Sequence, residues 1–268
     1  MSSKNVNKKY LDKIEEFHKH NKLYYDKNSP TISDEKFDIL KKEILDLEKK
    51  YNFLKSKLSP SASVGYKPSK NFLKSKHRIK MLSLSNAFDE EDLINFEKKT
   101  SNFLNTKNLK NNIEYSVEPK IDGISASITY KNGFFERGLS RGDGREGEDI
   151  TQNLKTIIDI PKKINAKDFP VEIDIRGEVF IKNSDFENLK EKFANPRNAA
   201  SGSLRQKNPE DTKKIPLNFI AYTFGFEQGL KQKNQSDYLK KLDEWGFKTN
   251  PLNKTITGIK NLIQNYNE

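Results

Sequence analysis

Apolar residues recur every three to four positions through the first 58 residues of the chain. Leu11, Ile14, Phe17 and then Tyr24 or Tyr25 form one stripe; after a break at Ser29-Pro30 and a fresh start at Ser33-Asp34, a second runs through Phe37, Leu40, Ile44, Leu47 and Tyr51. That period predicts two amphipathic helices folded as a hairpin. Residues 59–80 lose the period to serine, proline, glycine and scattered lysines, as a linker does, and a helix is predicted over residues 89–103. The period then drops to two. Tyr115, Val117, Pro119 and Ile121 share one parity, which predicts a strand whose opposite face carries Glu118, Lys120 and Asp122. Asn132-Gly133 between the runs Ser125–Tyr130 and Phe134–Ser140 signals a β-hairpin. It leads into Arg141–Gly147, read as a mobile loop rich in donors, and a helix showing Ile150, Leu154, Ile157 and Ile158 on one face. A strand through Val171–Phe180 puts Arg176 and Glu178 on a common face. Ser184–Glu187 has the form of a capping box for a helix ending at Asn195-Pro196. Leu217–Phe226 is almost wholly apolar and reads as a buried central strand holding Tyr222. A helix from Ser236 stops at Trp245-Gly246, and an amphipathic helix occupies the stretch from Thr257 onward. The fold class is α+β: a small helical domain (1–60), a joint and entry segment (61–80), and a domain of mixed, mainly antiparallel sheets with flanking helices (81–268).

Composition narrows the chemistry. Hydrophobic residues make up 33% and charged residues 32%, so the core is economical and the surface ionic. The net charge of +11 favours a polyanionic partner, although a lysine-rich surface alone produces the same number. The seven arginines say more. Arg78, Arg137, Arg141, Arg145, Arg176, Arg197 and Arg205 are confined to the middle of the chain, six of them after Lys120. Where lysine is the default cation, arginine suggests a need for its planar fork, which grips phosphate or carboxylate. Cysteine is absent and the three histidines lack ligand spacing, so neither a disulfide framework nor a zinc site is expected. No apolar run approaches a membrane span of ~20 residues, and the polar N-terminus is no signal peptide; a cytoplasmic monomer is expected.

Glu118-Pro119-Lys120-Ile121-Asp122-Gly123 is the candidate reactive centre. A lysine becomes a nucleophile when it releases its proton near neutral pH, which burial or a neighbouring cation encourages and flanking carboxylates oppose. Those carboxylates would therefore bind ligand or orient the amine, and a salt-bridged solvated strand reads the same residues without any chemistry. The connector Tyr24–Asp34 mixes aromatic and acidic side chains that could stack on an aromatic cation, while Ser33 or Asp34 could simply cap a helix. Arg197–Arg205 is rich in small residues with an arginine at each end, suited to a phosphate backbone or to close helix packing.

Taken in order, Glu118–Gly123, Ser140-Arg141-Gly142-Asp143-Gly144, Arg176-Gly177-Glu178-Val179-Phe180 and Phe193–Gln206, behind a helical hairpin, resemble the successive motifs of NAD-dependent DNA ligases. The resemblance implies that Lys120 attacks the α-phosphate of NAD to form lysyl-AMP, that AMP passes to the 5′-phosphate of a nick in double-stranded DNA, and that the nick is then sealed. It implies that Glu118 and the backbone around Ser83 and Leu84 recognise adenine, with Tyr222 stacked on it. Asp122 and Glu178 would contact ribose or position Mg²⁺ and the lysine, with Arg141 on ribose or phosphate, and Arg197 and Arg205 would grip DNA. Tyr24, Tyr25, Asp34, Phe37 and Asp38 would hold the nicotinamide mononucleotide half; Phe37 stands where the family usually has tyrosine. The family's later motifs and domains do not follow, so the chain reads as an N-terminal piece unable to seal nicks alone. An ATP-dependent relative would not need the aromatic, acidic hairpin; a non-catalytic DNA binder acting through basic charge is the alternative from another class.

Overall fold

The computed structural model describes residues 3–25, 31–54, 56–60, 72–105 and 113–267, with the side chains of residues 3, 4, 24, 25 and 34 outside that description. Helices α1 (Ser3–Tyr25) and α2 (Asp34–Lys50) form the predicted hairpin. Ser33 is extended and its hydroxyl accepts from the Lys36 N–H at 3.3 Å, which supplies one of the partners a helix start lacks. The buried stripe of α1 is Val6, Tyr10, Ile14 and Phe17, which meets Leu40 and Ile44 of α2 and is closed by Leu54. Leu11 faces outward and is half exposed; Tyr10 takes its place in the stripe, which begins at Val6. The Tyr10 hydroxyl donates to Glu48 at 2.7 Å, and burial together with that carboxylate pushes the phenol up to about 12.

Strand β1 (Lys74–Lys76) and helix α3 (Glu90–Phe103) come next, followed by β2 (Glu114–Val117), β3 (Ile124–Lys131), β4 (Phe134–Ser140) and β5 (Glu146–Glu148). Helix α4 (Thr151–Leu154), strand β6 (Glu172–Phe180) and helices α5 (Asn183–Phe186), α6 (Pro196–Leu204) and α7 (Pro209–Lys213) lead to β7 (Asn218–Gln228). Helix α8 (Gln235–Glu244), β8 (Lys254–Thr257) and α9 (Ile259–Asn267) complete the described chain. The principal sheet has the order β4-β3-β6-β7 with every pair antiparallel, while β1 pairs with β5 and β2 with β8 in two-stranded sheets. The hairpin turn between β3 and β4 has φ of +50° at Asn132 and +78° at Gly133, the pair of positive angles that matches strand twist.

The two faces of this sheet do different things. Ala126, Ile128, Tyr130, Ile173, Ile175 and Val179 point into the main core with Phe135, Leu154, Phe219, Leu242, Trp245 and Phe247. Each of the larger aliphatic and phenylalanine side chains contributes about 1.5–3 kcal/mol by leaving water, and the ring of Tyr130 meets Phe169 and Phe247 edge to face. The other face carries Ser125, Ser127 and Thr129 of β3 against Glu178, Arg176 and Asp174 of β6. It is buried as well, so its polar groups need partners, and it is this face that builds the candidate site.

Several predicted elements differ. Leu217–Phe226 is not central: β7 is an edge strand with one half-buried face, because apolar content reports burial and not position in the sheet. Helix α4 stops at Leu154 and Ile158 is exposed, and α5 lasts only four residues with no side-chain cap before a 3₁₀ turn. Thr257 belongs to β8, where it pairs with Glu114.

Candidate adenylation site

The reactive-centre residues do not lie on a strand. Strand β2 ends at Val117 opposite Lys254, and residues 118–122 form an irregular loop between the two-stranded and principal sheets. Pro119 has no N–H to continue the ladder, so the alternation expected for Glu118, Lys120 and Asp122 fails there. What aims the loop is Gly123. A Cβ on it would lie 2.2 Å from the Val179 carbonyl oxygen and 2.9 Å from Cγ of Glu178, so only glycine lets the chain lie this closely on β6. Lys120, three residues upstream, is thereby carried to Glu178 while its own side chain stays exposed.

Glu178 is the electrostatic centre. Its side chain is buried and accepts from the Ser125 hydroxyl at 2.9 Å, its register partner on β3. Burial raises its pKa, opposed by Ser125 and by the positive charges of Arg197, Arg141 and Lys120. Positive charge from three segments thus acts on one carboxylate. Asp122 accepts from Nη1 of Arg197 at 2.7 Å, which ties the lysine loop to the start of α6. Asn195 caps that helix, accepting from the Asn198 N–H at 2.7 Å, and Pro196 occupies its first turn.

Glu118 and Tyr222 are joined by a residue that sequence patterning did not single out. Nε2 of Gln235, the first residue of α8, donates to Glu118 Oε1 at 2.9 Å and to the Tyr222 carbonyl at 2.6 Å. Tyr222 is half-buried beside Ser125, and burial followed by the Glu178 charge pushes its phenol up to about 12. Ser125 could have been found by its strand parity with Ser127 and Thr129; no sequence signal marks Gln235.

Across the polar face runs His77–Met81. Arg78 bonds Asp174 and Glu172 through both ends of its fork and lies 4.1 Å over the Phe226 ring. Arg176 donates to the carbonyls of Ile79 and Lys80. His77 and Met81 donate backbone N–H groups to the Arg145 and Gly144 carbonyls, and the His77 ring contacts the Arg141 carbonyl at 3.1 Å. The glycine-rich loop is therefore tied down rather than mobile; Asp143 also accepts from the Arg145 and Glu146 N–H groups. Burial, aided by the Arg176 charge, lowers the His77 pKa below the usual imidazole value. Beyond Met81 the backbone is irregular, and Ser83 and Leu84 are exposed beside it.

The remaining arginines are less available than their clustering implied. Arg205 donates from Nε to the fully buried Glu148 at 2.9 Å, and Arg137 to Ser75. In the hairpin, Phe37 stacks on Phe17 at 4.9 Å between ring centroids, so its ring already has a partner within the helical domain. Asp38 is half-buried on α2. The side chains of Tyr24, Tyr25 and Asp34 lie outside the described residues. Among the described residues no group of three or more acidic, histidine or cysteine side chains is placed to hold a metal ion, and none of the described helices is long and apolar enough to cross a membrane.

A polar-faced antiparallel sheet with a lysine loop laid against the strand of a buried glutamate has the layout expected of a nucleotidyltransferase domain, and the helical hairpin precedes it as a separate unit. The chain belongs to the NAD-dependent DNA ligase family: the model described as the NAD-dependent DNA ligase adenylation domain matches residues 69–268, and the DNA ligase-like N-terminal NAD⁺-binding domain matches residues 3–65. Among curated relatives it is 64% identical to a DNA ligase of Pelagibacter ubique over its whole length and 44% identical to one of Parvibaculum lavamentivorans over 94% of its length. A DNA ligase of Coprothermobacter proteolyticus is 40% identical over 96% of the chain. The chain spans only 40%, 37% and 39% of these three proteins.

Proposed function

We propose that this chain carries the first half-reaction of an NAD-dependent DNA ligase. The Lys120 amine, once it has lost its proton, attacks the α-phosphorus of NAD; a P–N bond forms, the P–O bond to nicotinamide mononucleotide breaks, and lysyl-AMP remains. The supporting observation is the seating of the Lys120 loop on β6 beside buried Glu178 through Gly123, with Arg197 bonded to Asp122 in the same loop and the charges of Lys120, Arg141 and Arg197 all acting on Glu178. Phosphoryl transfer depends mainly on positioning and on stabilising charge at the phosphate, and Arg197, bonded to the lysine loop at Asp122, would supply both together with Arg141. Glu118, Ser83, Leu84 and Tyr222 would enclose adenine, Asp122 and Glu178 would bind ribose or orient the amine, and Tyr24, Tyr25, Asp34, Phe37 and Asp38 would take the nicotinamide mononucleotide half.

Mg²⁺ fits as an ion held by one carboxylate, Glu178, together with waters and phosphate oxygens, the manner in which this metal is usually bound beside nucleotides. When bound it would neutralise charge on the phosphates. In the later steps, nicked double-stranded DNA is the partner. Arg197 would exchange Asp122 for a backbone phosphate, and Arg205, aimed by Glu148, would take another.

The test is intact mass after incubation with Mg²⁺ and either NAD or ATP. An adduct of one AMP from NAD, absent from ATP and from Lys120→Ala, is expected. No adduct together with salt-sensitive DNA binding would favour the basic DNA-binding fragment instead.

A further inference from the structure

Arg176 is a buried cation with an unusual set of partners. It sits on the polar face of β6 and gives Nη1 and Nη2 to two main-chain carbonyls, those of Lys80 and Ile79. Its Nε is buried without a hydrogen-bond partner among the described residues. Asp174, two residues along the same strand, gives its carboxylate to Arg78 and Thr129. Burying a guanidinium against neutral carbonyls, with one N–H unsatisfied, is a costly way to hold a loop. The fold also makes room for it: a Cβ at Gly225 of β7 would stand 2.8–3.0 Å from Nη2, Nε and Cζ of Arg176. The strand gives up a side chain so that the guanidinium can lie flat across it.

The grip falls at one particular place. The carbonyls of residues 79 and 80 are the last firmly held points before Met81, which is buried and bonded to the Gly144 carbonyl. Residues 82–88 then run exposed and without regular structure. Arg176 pairs with Thr223 in the β6–β7 register, so the guanidinium that holds the base of the exposed strip stands one residue along β7 from Tyr222, the proposed adenine platform.

We propose that Arg176 is a positioning residue for base recognition: by holding the Ile79 and Lys80 carbonyls on β6 it sets the height of the strip containing Ser83 and Leu84 above Tyr222, and so determines how well the site distinguishes adenine from other purines. This rests on the assignment of that strip to adenine. It requires no contact between Arg176 and the nucleotide. A lysine in its place keeps the charge but cannot reach two carbonyls with a planar fork.

The experiment is calorimetric binding of NAD and of its hypoxanthine analogue, in which a carbonyl replaces the 6-amino group, to the 268-residue chain and to Arg176→Lys and Gly225→Ala. Gly225→Ala retains the arginine but displaces its fork, so the two variants reach the same defect by different routes; melting curves confirm that each is folded. Wild type should prefer NAD by at least about tenfold, the scale of one charge-assisted hydrogen bond. In whichever variant remains folded, that preference should collapse to within about threefold. Variants that weaken both ligands equally, or keep the wild-type preference, overturn the positioning role while leaving the proposed function intact. Wild type that binds neither ligand, or both alike, overturns the adenine assignment itself. Because calorimetry reads binding, a failure of the lysine chemistry leaves this result standing.

Discussion

Gly123→Ala should cripple adenylylation without touching any group that reacts. The new methyl carbon would start 2.2 Å from the Val179 carbonyl oxygen, against about 3.4 Å for an ordinary contact. Val179 cannot retreat, since β6 is paired on both sides, to β3 and β7. The loop must therefore lift by about 1 Å, and Lys120 lies only three residues away. A displacement of that size at a reacting atom costs on the order of 10²-fold in rate. The overpacking itself costs about 1–3 kcal/mol, which lowers the melting temperature by about 3–10 °C for a domain of this size. The assay is the initial rate of lysyl-AMP formation from NAD by intact mass, well below the variant's melting point, beside a thermal melt. A rate within about threefold of wild type would show that contact with β6 does not place the lysine.

Glu178→Gln should slow adduct formation tenfold or more while keeping the Ser125 contact. Its carboxyl is more easily protonated folded than unfolded, so its contribution to stability is present at low pH and is lost as pH rises from the ordinary carboxylate range of about 4.3 toward the raised folded value. Urea midpoints of wild type relative to Glu178→Gln should fall across that window, and a flat difference would refute the buried charge. His77 behaves oppositely: its folded pKa is lowered, so its contribution is present above about 6.5 and is lost as pH falls below it. His77→Gln, which keeps a donor for the Arg141 carbonyl, should remove that acid sensitivity in the same urea titration. Arg205→Ala should cost about 3 kcal/mol by leaving Glu148 buried without its guanidinium. A variant of unchanged stability that loses only DNA affinity would show Arg205 to be a phosphate contact alone.

The sequence by itself determined the α+β class, the helical hairpin and the Asn132-Gly133 turn. Local physics was enough for these: the apolar period decides helix or strand, and a pair of positive φ angles decides the turn. Strand alternation likewise put Arg176 and Glu178 on the same face. Tertiary structure decided the rest. The alternation read through Glu118–Asp122 was false because pairing with β8 ends at Val117, and a ladder's end is set by a partner more than a hundred residues distant. The same long-range pairing made β7 an edge strand. Only the fold showed that Arg205 and Arg78 have carboxylate partners, Glu148 for the one and Asp174 and Glu172 for the other. Gln235 and Gly225 were invisible for a related reason: neither has a local pattern, and each acquires its role only when a distant segment is laid against it.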